Sequence, residues 1–282
     1  MTDRSRLFVT TEELAARLGE PGLQVVDGSW YLPTVPRDAL VEYEIRRIPG
    51  AVHLDVDVVA DEATDLPHML PDEAAFARMA GALGLDETCE IVVYDGAGLA
   101  SAARVWWMLK RFGAAKVRIL EGGFERWMRE GRPMDRDDPR PPVPSPFRAR
   151  LDRRPLVDMT TVARHLAEGT ATVIDTRPAE RFSGAAPEPR EGIPSGHMPA
   201  AVGIPAARFV TGLVLADDAT IRAALADVDL EKPIVCSCGS GVTAAILWLA
   251  LEAIGIPQEN LFLYDGSWSE WATRGGAIVT DV

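Results

Sequence analysis

Four short blocks occur in the first half of this 282-residue chain and again, in the same order, in the second. The apolar run Leu23-Gln24-Val25-Val26 leads into Asp27-Gly28-Ser29, as Thr172-Val173-Ile174 leads into Asp175-Thr176-Arg177. Arg47-Ile48-Pro49-Gly50-Ala51-Val52 is echoed by His197-Met198-Pro199-Ala200-Ala201-Val202. Ile91-Val92-Val93-Tyr94-Asp95-Gly96-Ala97-Gly98 is echoed by Ile234-Val235-Cys236-Ser237-Cys238-Gly239-Ser240-Gly241. Glu121-Gly122-Gly123-Phe124-Glu125-Arg126-Trp127 returns as Asp265-Gly266-Ser267-Trp268-Ser269-Glu270-Trp271. Each block lies roughly 145 residues from its echo, and a period that long means a duplicated domain rather than a solenoid of short repeats. Between the copies, Pro133 to Pro146 carries Pro139, Pro141, Pro142 and Pro144 beside the run Asp135-Arg136-Asp137-Asp138. Proline removes amide donors and favours extended backbone, so this stretch reads as an exposed, semi-rigid connection. The expected division is a first domain over 1–132, a Pro-rich linker over 133–150 and a second domain over 151–282.

Within each copy, short apolar runs alternate with helical patterns. Thr10-Thr11-Glu12-Glu13 has the form of a capping box, with a stop signal at Gly19. Leu99 to Phe112 and Val242 to Ile254 have helical spacing and end at Gly113 and Gly255. The runs at 23–26, 91–94, 173–174 and 234–237 are continuous apolar stretches, as strands buried on both faces are. Strands alternating with helices give an α/β layer structure, each domain a mainly parallel sheet flanked by helices. Ligands in such folds bind beyond the carboxyl ends of the strands. That rule marks two loops, Asp95-Gly96-Ala97-Gly98 and Cys238-Gly239-Ser240-Gly241.

Composition narrows the function. A formal charge of −13 opposes nucleic acid or an anionic membrane as partner. No apolar run reaches the roughly 18 residues of a membrane span, and Met1-Thr2-Asp3-Arg4-Ser5 begins no signal peptide. Three cysteines, at 89, 236 and 238, give neither a disulfide framework nor zinc spacing, and His53, His68 and His165 are too scattered for a metal site. The expectation is a cytoplasmic protein with reduced thiols, no metal and no cofactor.

Only the second loop carries a nucleophile. A cysteine after a buried strand, in a glycine-bearing loop that opens a helix, sits among backbone N–H groups that favour a thiolate or an anionic persulfide. Two glycines let successive amides turn toward one atom. From Pro233 to Leu251 no side chain is charged, so that stabilisation comes from dipoles or from charges elsewhere in the chain. Position alone leaves two readings open, a catalytic cysteine and a small buried one. Cys236 reads as core packing, since same-side neighbours on a strand are about 6.5 Å apart and a disulfide needs Cβ atoms nearer 3.8 Å; the alternative is a redox switch in which it captures oxidised Cys238. Trp106 and Trp107 read as core, and His197 as a hydrogen-bonded loop residue.

Cys238-Gly239-Ser240-Gly241-Val242-Thr243 resembles the six-residue active loop of 3-mercaptopyruvate sulfurtransferases, in the rhodanese superfamily. Asp27-Gly28-Ser29-Trp30-Tyr31-Leu32-Pro33, His68-Met69-Leu70-Pro71, Arg104-Val105-Trp106-Trp107-Met108, Glu188-Pro189-Arg190-Glu191-Gly192-Ile193 and Tyr264-Asp265-Gly266-Ser267-Trp268 are similar too, in order along nearly the whole chain. The resemblance implies tandem rhodanese-like domains of which only the second is catalytic, Asp95 taking the nucleophile's place in the first. It implies a persulfide on Cys238, with Gly239, Gly241, Val242 and Thr243 around the substrate. Ser240 is implied to polarise the donor carbonyl or relay a proton, and Arg181 and Arg190 to hold the carboxylate and ketone of 3-mercaptopyruvate. The family also uses an aspartate and a histidine from the first domain. Asp38 fits the aspartate, but Arg47 stands where the histidine is expected, and arginine does not shuttle protons near neutral pH. Implied partners are a small-molecule sulfur donor and, as acceptor, cyanide or a thiol such as thioredoxin or a low-molecular-weight thiol. Thiosulfate is the alternative donor, although its relatives place basic residues where this loop has Gly239 and Ser240. A noncatalytic binding module is the more distant alternative. A phosphatase would need an arginine at the end of the loop, where Val242, Thr243, Ala244 and Ala245 stand.

Overall fold

The computed structural model describes residues 4–281. In the first domain the strands are β1 (Phe8–Val9), β2 (Leu23–Asp27), β3 (Ala51–His53), β4 (Glu90–Tyr94) and β5 (Lys116–Leu120). Its helices are α1 (Thr11–Arg17), α2 (Ala39–Ile45), α3 (Glu73–Ala82), α4 (Ala102–Arg111) and α5 (Gly123–Arg129). The second domain has β6 (Leu156–Val157), β7 (Thr172–Asp175), β8 (Val202–Gly203), a small hairpin of β9 (Val210–Thr211) and β10 (Val214–Leu215), β11 (Ile234–Ser237) and β12 (Leu261–Tyr264). Its helices are α6 (Met159–Glu168), α7 (Ala179–Ser183), α8 (Asp218–Ala224), α9 (Ala244–Ala253) and α10 (Ser267–Thr273).

The duplication is visible in the sheets. Each is five-stranded and parallel, ordered β1-β5-β4-β2-β3 in the first domain and β6-β12-β11-β7-β8 in the second, so every strand has its counterpart at the same place. Alternation along the strands feeds two layers of core. In β4, Ile91 and Val93 face a core shared by both domains while Val92 and Tyr94 face an outer one. In β11, Ile234 and Cys236 face the shared core and Val235 the outer core.

The shared core forms because α4 and α9 are covered on all sides, by their own sheets and by each other. Nearly every α4 and α9 residue is buried, as a helix that meets no solvent face must be. Trp107 and Trp248 meet edge to face across the domain boundary, ring centroids 5.9 Å apart. The apolar helix has its counterpart in the sequence reading of Trp106 and Trp107 as core, and both are fully buried.

Helix starts follow local chemistry. The Thr10 side chain accepts from the Glu13 N–H at the head of α1, and Asp72, Asp158 and Asp217 cap α3, α6 and α8 in the same way. The connection between the domains has no regular structure but is docked by its backbone. Asp135 exchanges two hydrogen bonds with Arg47 (3.0 and 3.1 Å), and Ser145 N–H donates to the Gly81 carbonyl at 2.9 Å.

Candidate active site

Strand β11 ends at Ser237, and the chain turns into the loop that begins with Cys238, which is buried. Two segments hold the loop in shape. The Cys238 N–H donates to Ser267 Oγ at 3.2 Å, and its carbonyl accepts from the Trp268 N–H at 3.0 Å. The Gly239 carbonyl accepts from both the N–H (2.9 Å) and the Oγ (2.7 Å) of Ser269. Gly241 has φ +80°, a left-handed conformation that glycine adopts without strain, and a Cβ there would meet Arg104 Nη1 and the Asp265 carbonyl at 3.1 Å. The loop's carbonyls are thus engaged, while the N–H groups of Ser240, Gly241, Val242 and Thr243 donate to no protein acceptor among the described residues.

The equivalent loop of the first domain shows what such amides do with an anion. Asp95 takes the nucleophile's place, and its carboxylate accepts from the N–H groups of Ala97 (3.1 Å), Leu99 (3.0 Å), Ser101 (2.9 Å) and Ala102 (2.8 Å). That cradle is full. Leu213 of the β9–β10 hairpin also packs over it, at 2.7 Å from where a Cβ on Gly98 would lie.

Cys238, Gly239, Ser240, Val242 and Thr243 line a cavity of ≈ 490 Å³. Trp30, Leu32 and Val35 of the first domain form part of its wall, so the cavity belongs to both domains. Arg181 and Arg190 border it, as the resemblance implies, but their environments differ. Glu188 accepts from Arg177 Nη1 at 2.7 Å through one oxygen and pairs with Arg181 through the other. Arg181 is therefore largely neutralised, and its Nη2 lies where it would be 3.0 Å from a Cβ on Gly239. Arg190 forms no ion pair among the described residues. Its guanidinium stands 5.8 Å from the Trp30 ring centroid and 3.5 Å from Ser240 Oγ. Burial pushes its pKa below the ordinary arginine value, against the attraction of the nearby Asp57 charge.

Ser240 is where the structure departs from the sequence reading. Its Oγ lies 2.9 Å from His68 Nδ1, and His68 Nε2 lies 2.6 Å from Asp57 Oδ1. A hydrogen-bonded chain does lead away from Ser240, but it is built from His68 and Asp57, which sequence reasoning passed over, and not from Asp38 and Arg47. Asp38 is the N-cap of α2 and spends its carboxylate on the Val41 N–H. Arg47 is buried against the interdomain connection and donates to the Asp137 carbonyl at 2.9 Å. Both are occupied by local structure.

A carboxylate can only accept, so Asp57 fixes the proton on His68 Nε2 and leaves Nδ1 to accept from Ser240 Oγ–H. Burial lowers the His68 pKa, and the positive charges of Arg190 and Arg104 act in the same direction against the Asp57 hydrogen bond. The hydrogen bond from His68 lowers the Asp57 pKa in turn. The result is a neutral imidazole beside an ionised carboxylate. His68-Met69-Leu70-Pro71 was among the family-like segments, so a signal existed for the histidine. Asp57 left none, lying in an aperiodic stretch after β3.

The other cysteines and His197 are held in local structure. Cys236 is fully buried in β11 and burial raises its pKa far above the ordinary thiol value. Cys89 is half-buried beside Asp86 and Glu87, with its pKa raised by burial and by their charges. His197 Nδ1 is 2.9 Å from the Phe182 carbonyl, with its ring stacked on Phe182.

Two segments, residues 10–130 and 158–274, each match the rhodanese-like domain family. The chain belongs to the rhodanese family, as a tandem of two such domains. Human 3-mercaptopyruvate sulfurtransferase is 42% identical over 266 residues, spanning 92% of this chain and 88% of the human one. Thiosulfate sulfurtransferase of Cricetulus griseus is 39% identical over 277 residues, spanning 94% and 92%. The crystal structure of SseA from Escherichia coli, a 3-mercaptopyruvate sulfotransferase of rhodanese fold, superposes with a TM-score of 0.83 at 37% identity, covering 93% of this chain and 99% of that one.

Proposed function

We propose that this chain takes sulfur from 3-mercaptopyruvate as a persulfide on Cys238 and passes it to a thiol or cyanide. The observation that carries the donor is Arg190, a guanidinium with no ion pair among the described residues, 3.5 Å from Ser240 Oγ at the wall of the Cys238 cavity. A carboxylate is the natural occupant of such a fork, and a ketone beside it faces the Ser240 hydroxyl.

The Cys238 thiolate attacks the donor sulfur. An S–S bond forms, the C–S bond breaks, and its electron pair leaves with pyruvate as the enolate. Charge gathering on the ketone oxygen is met by Arg190, a donor already in place before the reaction. The persulfide forming on Cys238 loses its S–H proton to the Ser240–His68 pair, which returns it to the enolate carbon, so this half-reaction needs no proton from solvent. In the register of the repeat, the Ala97 and Leu99 amides that hold the Asp95 carboxylate correspond to those of Ser240 and Val242, which suit the anionic persulfide that remains. Acceptor thiolate or cyanide then removes the outer sulfur and the thiolate returns to Cys238, a ping-pong cycle.

Thiosulfate is the weaker donor in this reading, because the loop offers no side-chain cation to its second charge. Small thiols and thioredoxin-like dithiols are the proposed acceptors, in a cytoplasmic setting. No helix among the described residues is long and apolar enough to cross a membrane. Steady-state transfer to cyanide with each donor tests the reading. A higher kcat/KM for thiosulfate than for 3-mercaptopyruvate overturns it.

A further inference from the structure

Arg104 takes no part in the chemistry just described, yet it touches the pieces of the site that come from different domains. It projects from α4 of the first domain and is fully buried. Its Nη2 donates to the His68 carbonyl at 2.6 Å and lies 2.8 Å from Asp265 Oδ1, a charge contact without hydrogen-bond geometry. Its Nη1 reaches the Gly241 carbonyl of the active loop at 3.4 Å. The second oxygen of Asp265 accepts from the Leu70 N–H at 2.7 Å. One ion pair thus grips the turn at His68 and again at Leu70, and is fastened to the loop that carries Ser240.

That turn needs a grip. His68 has φ +61°, a left-handed conformation unfavourable for any residue with a Cβ and kept only where the surroundings over-determine it. If the backbone at His68 relaxed, its ring would leave Ser240, which sits in the other domain. A buried ion pair contributes little net stability, because desolvation offsets the attraction. What it supplies here is direction, at a carbonyl, an amide and a second carbonyl in fixed relation.

We propose that Arg104 is a positioning residue: with Asp265 it holds the His68 turn of the noncatalytic domain in register with Ser240 of the catalytic one. The proposal rests on the Ser240–His68–Asp57 relay above. It separates the two donors, since thiosulfate has no ketone to polarise and its sulfite leaving group needs no proton. It also has a signature in pH. The charged groups around His68 are Asp57, Arg190 and Arg104, so loss of the Arg104 charge, together with a more solvated ring, raises the His68 pKa.

The test uses the full chain with both donors and cyanide as acceptor, across pH, with His68→Asn measured in parallel. Arg104→Lys keeps the charge but not the fork, and Arg104→Met removes both. Arg104→Met/Asp265→Leu avoids stranding a buried carboxylate, which guards against simple misfolding. Each Arg104 variant is expected to lose roughly ten-fold or more in kcat with 3-mercaptopyruvate while thiosulfate turnover stays within about three-fold. The acid limb of kcat/KM moves up in Arg104→Met. An impaired His68→Asn beside Arg104 variants of unchanged kcat and unchanged acid limb overturns the positioning role and leaves the relay standing. Equal loss on both donors overturns it as well, by making Arg104 merely structural. Full turnover by His68→Asn overturns the relay itself.

Discussion

Replacing Arg190 with glutamine removes the one cavity guanidinium that no carboxylate neutralises among the described residues. Glutamine keeps a donor but loses the charge and the second arm of the fork. A lost charge-assisted hydrogen bond costs about 1.5–3 kcal/mol, or roughly 10- to 150-fold in kcat/KM. The upper half of that range is expected, because Arg190 is substantially buried and solvent screens its charge poorly. Arg181→Gln has a smaller effect, since Glu188 already holds Arg181. A second readout follows from His68. Its pKa lies below the ordinary 6.5, in part through the Arg190 charge. Activity with 3-mercaptopyruvate is therefore retained as pH falls to the His68 pKa and lost below it, when Nδ1 is protonated and cannot accept from Ser240. Arg190→Gln moves that loss to higher pH. The assay is pyruvate release with a thiol acceptor, from pH 5 upward, with thiosulfate as control donor. A kcat/KM for 3-mercaptopyruvate within about two-fold of wild type would place the carboxylate elsewhere.

Cys238→Ser leaves the fold intact and abolishes transfer from both donors, since only sulfur carries the persulfide; thiocyanate formation and far-UV circular dichroism report the two. Gly241→Ala forces a left-handed alanine against Arg104 and Asp265 and costs about 1–2 kcal/mol in urea unfolding, with kcat falling as the loop shifts. Glu90 sits among Arg17, Lys116 and Arg118; burial opposes its ionisation, but their hydrogen bonds hold its pKa down to about 2 from 4.5. A depressed carboxylate pKa gives stability that is present above 4.5 and lost as pH falls toward 2. Acid unfolding of Glu90→Gln is therefore flatter across that window, and an unchanged slope would remove the cluster from any account of acid stability.

The repeat made the architecture legible before any coordinates. Strands expected at 234–237 and 91–94 are β11 and β4, with at most one residue's difference at an end. The helices expected from Leu99 and from Val242 begin later, at Ala102 and Ala244, because the cradle loops use those first residues. Leu99 even has φ +79°, which no helical periodicity could reveal. The candidate nucleophile stood out at one strand–loop–helix junction, where position left a catalytic and a buried cysteine both open and the family-like loop favoured the first. The relay was not, because Ser240 and His68 are 172 residues apart and meet only when two domains close. Asp38 and Arg47 were attractive as the places of the family's aspartate and histidine. Resemblance gives position along the chain, and their side chains are committed to a helix cap and to the connecting segment.

The hairpin of β9 and β10 sets the terms on which the two halves differ. Leu213 at its tip stands on the first domain's cradle, as Trp30 and the turn at His68 stand on the second's. Each domain thus closes or completes the other, in opposite senses: one receives a plug, the other receives working parts. Introducing a cysteine at position 95 would place a thiol beneath an aliphatic lid, with no counterpart of His68 facing it. The difference between the copies is therefore written into the contact between the domains as well as into residue 95. A cysteine at position 95 alone does not reproduce the surroundings of Cys238, and the asymmetry is a property of the pair.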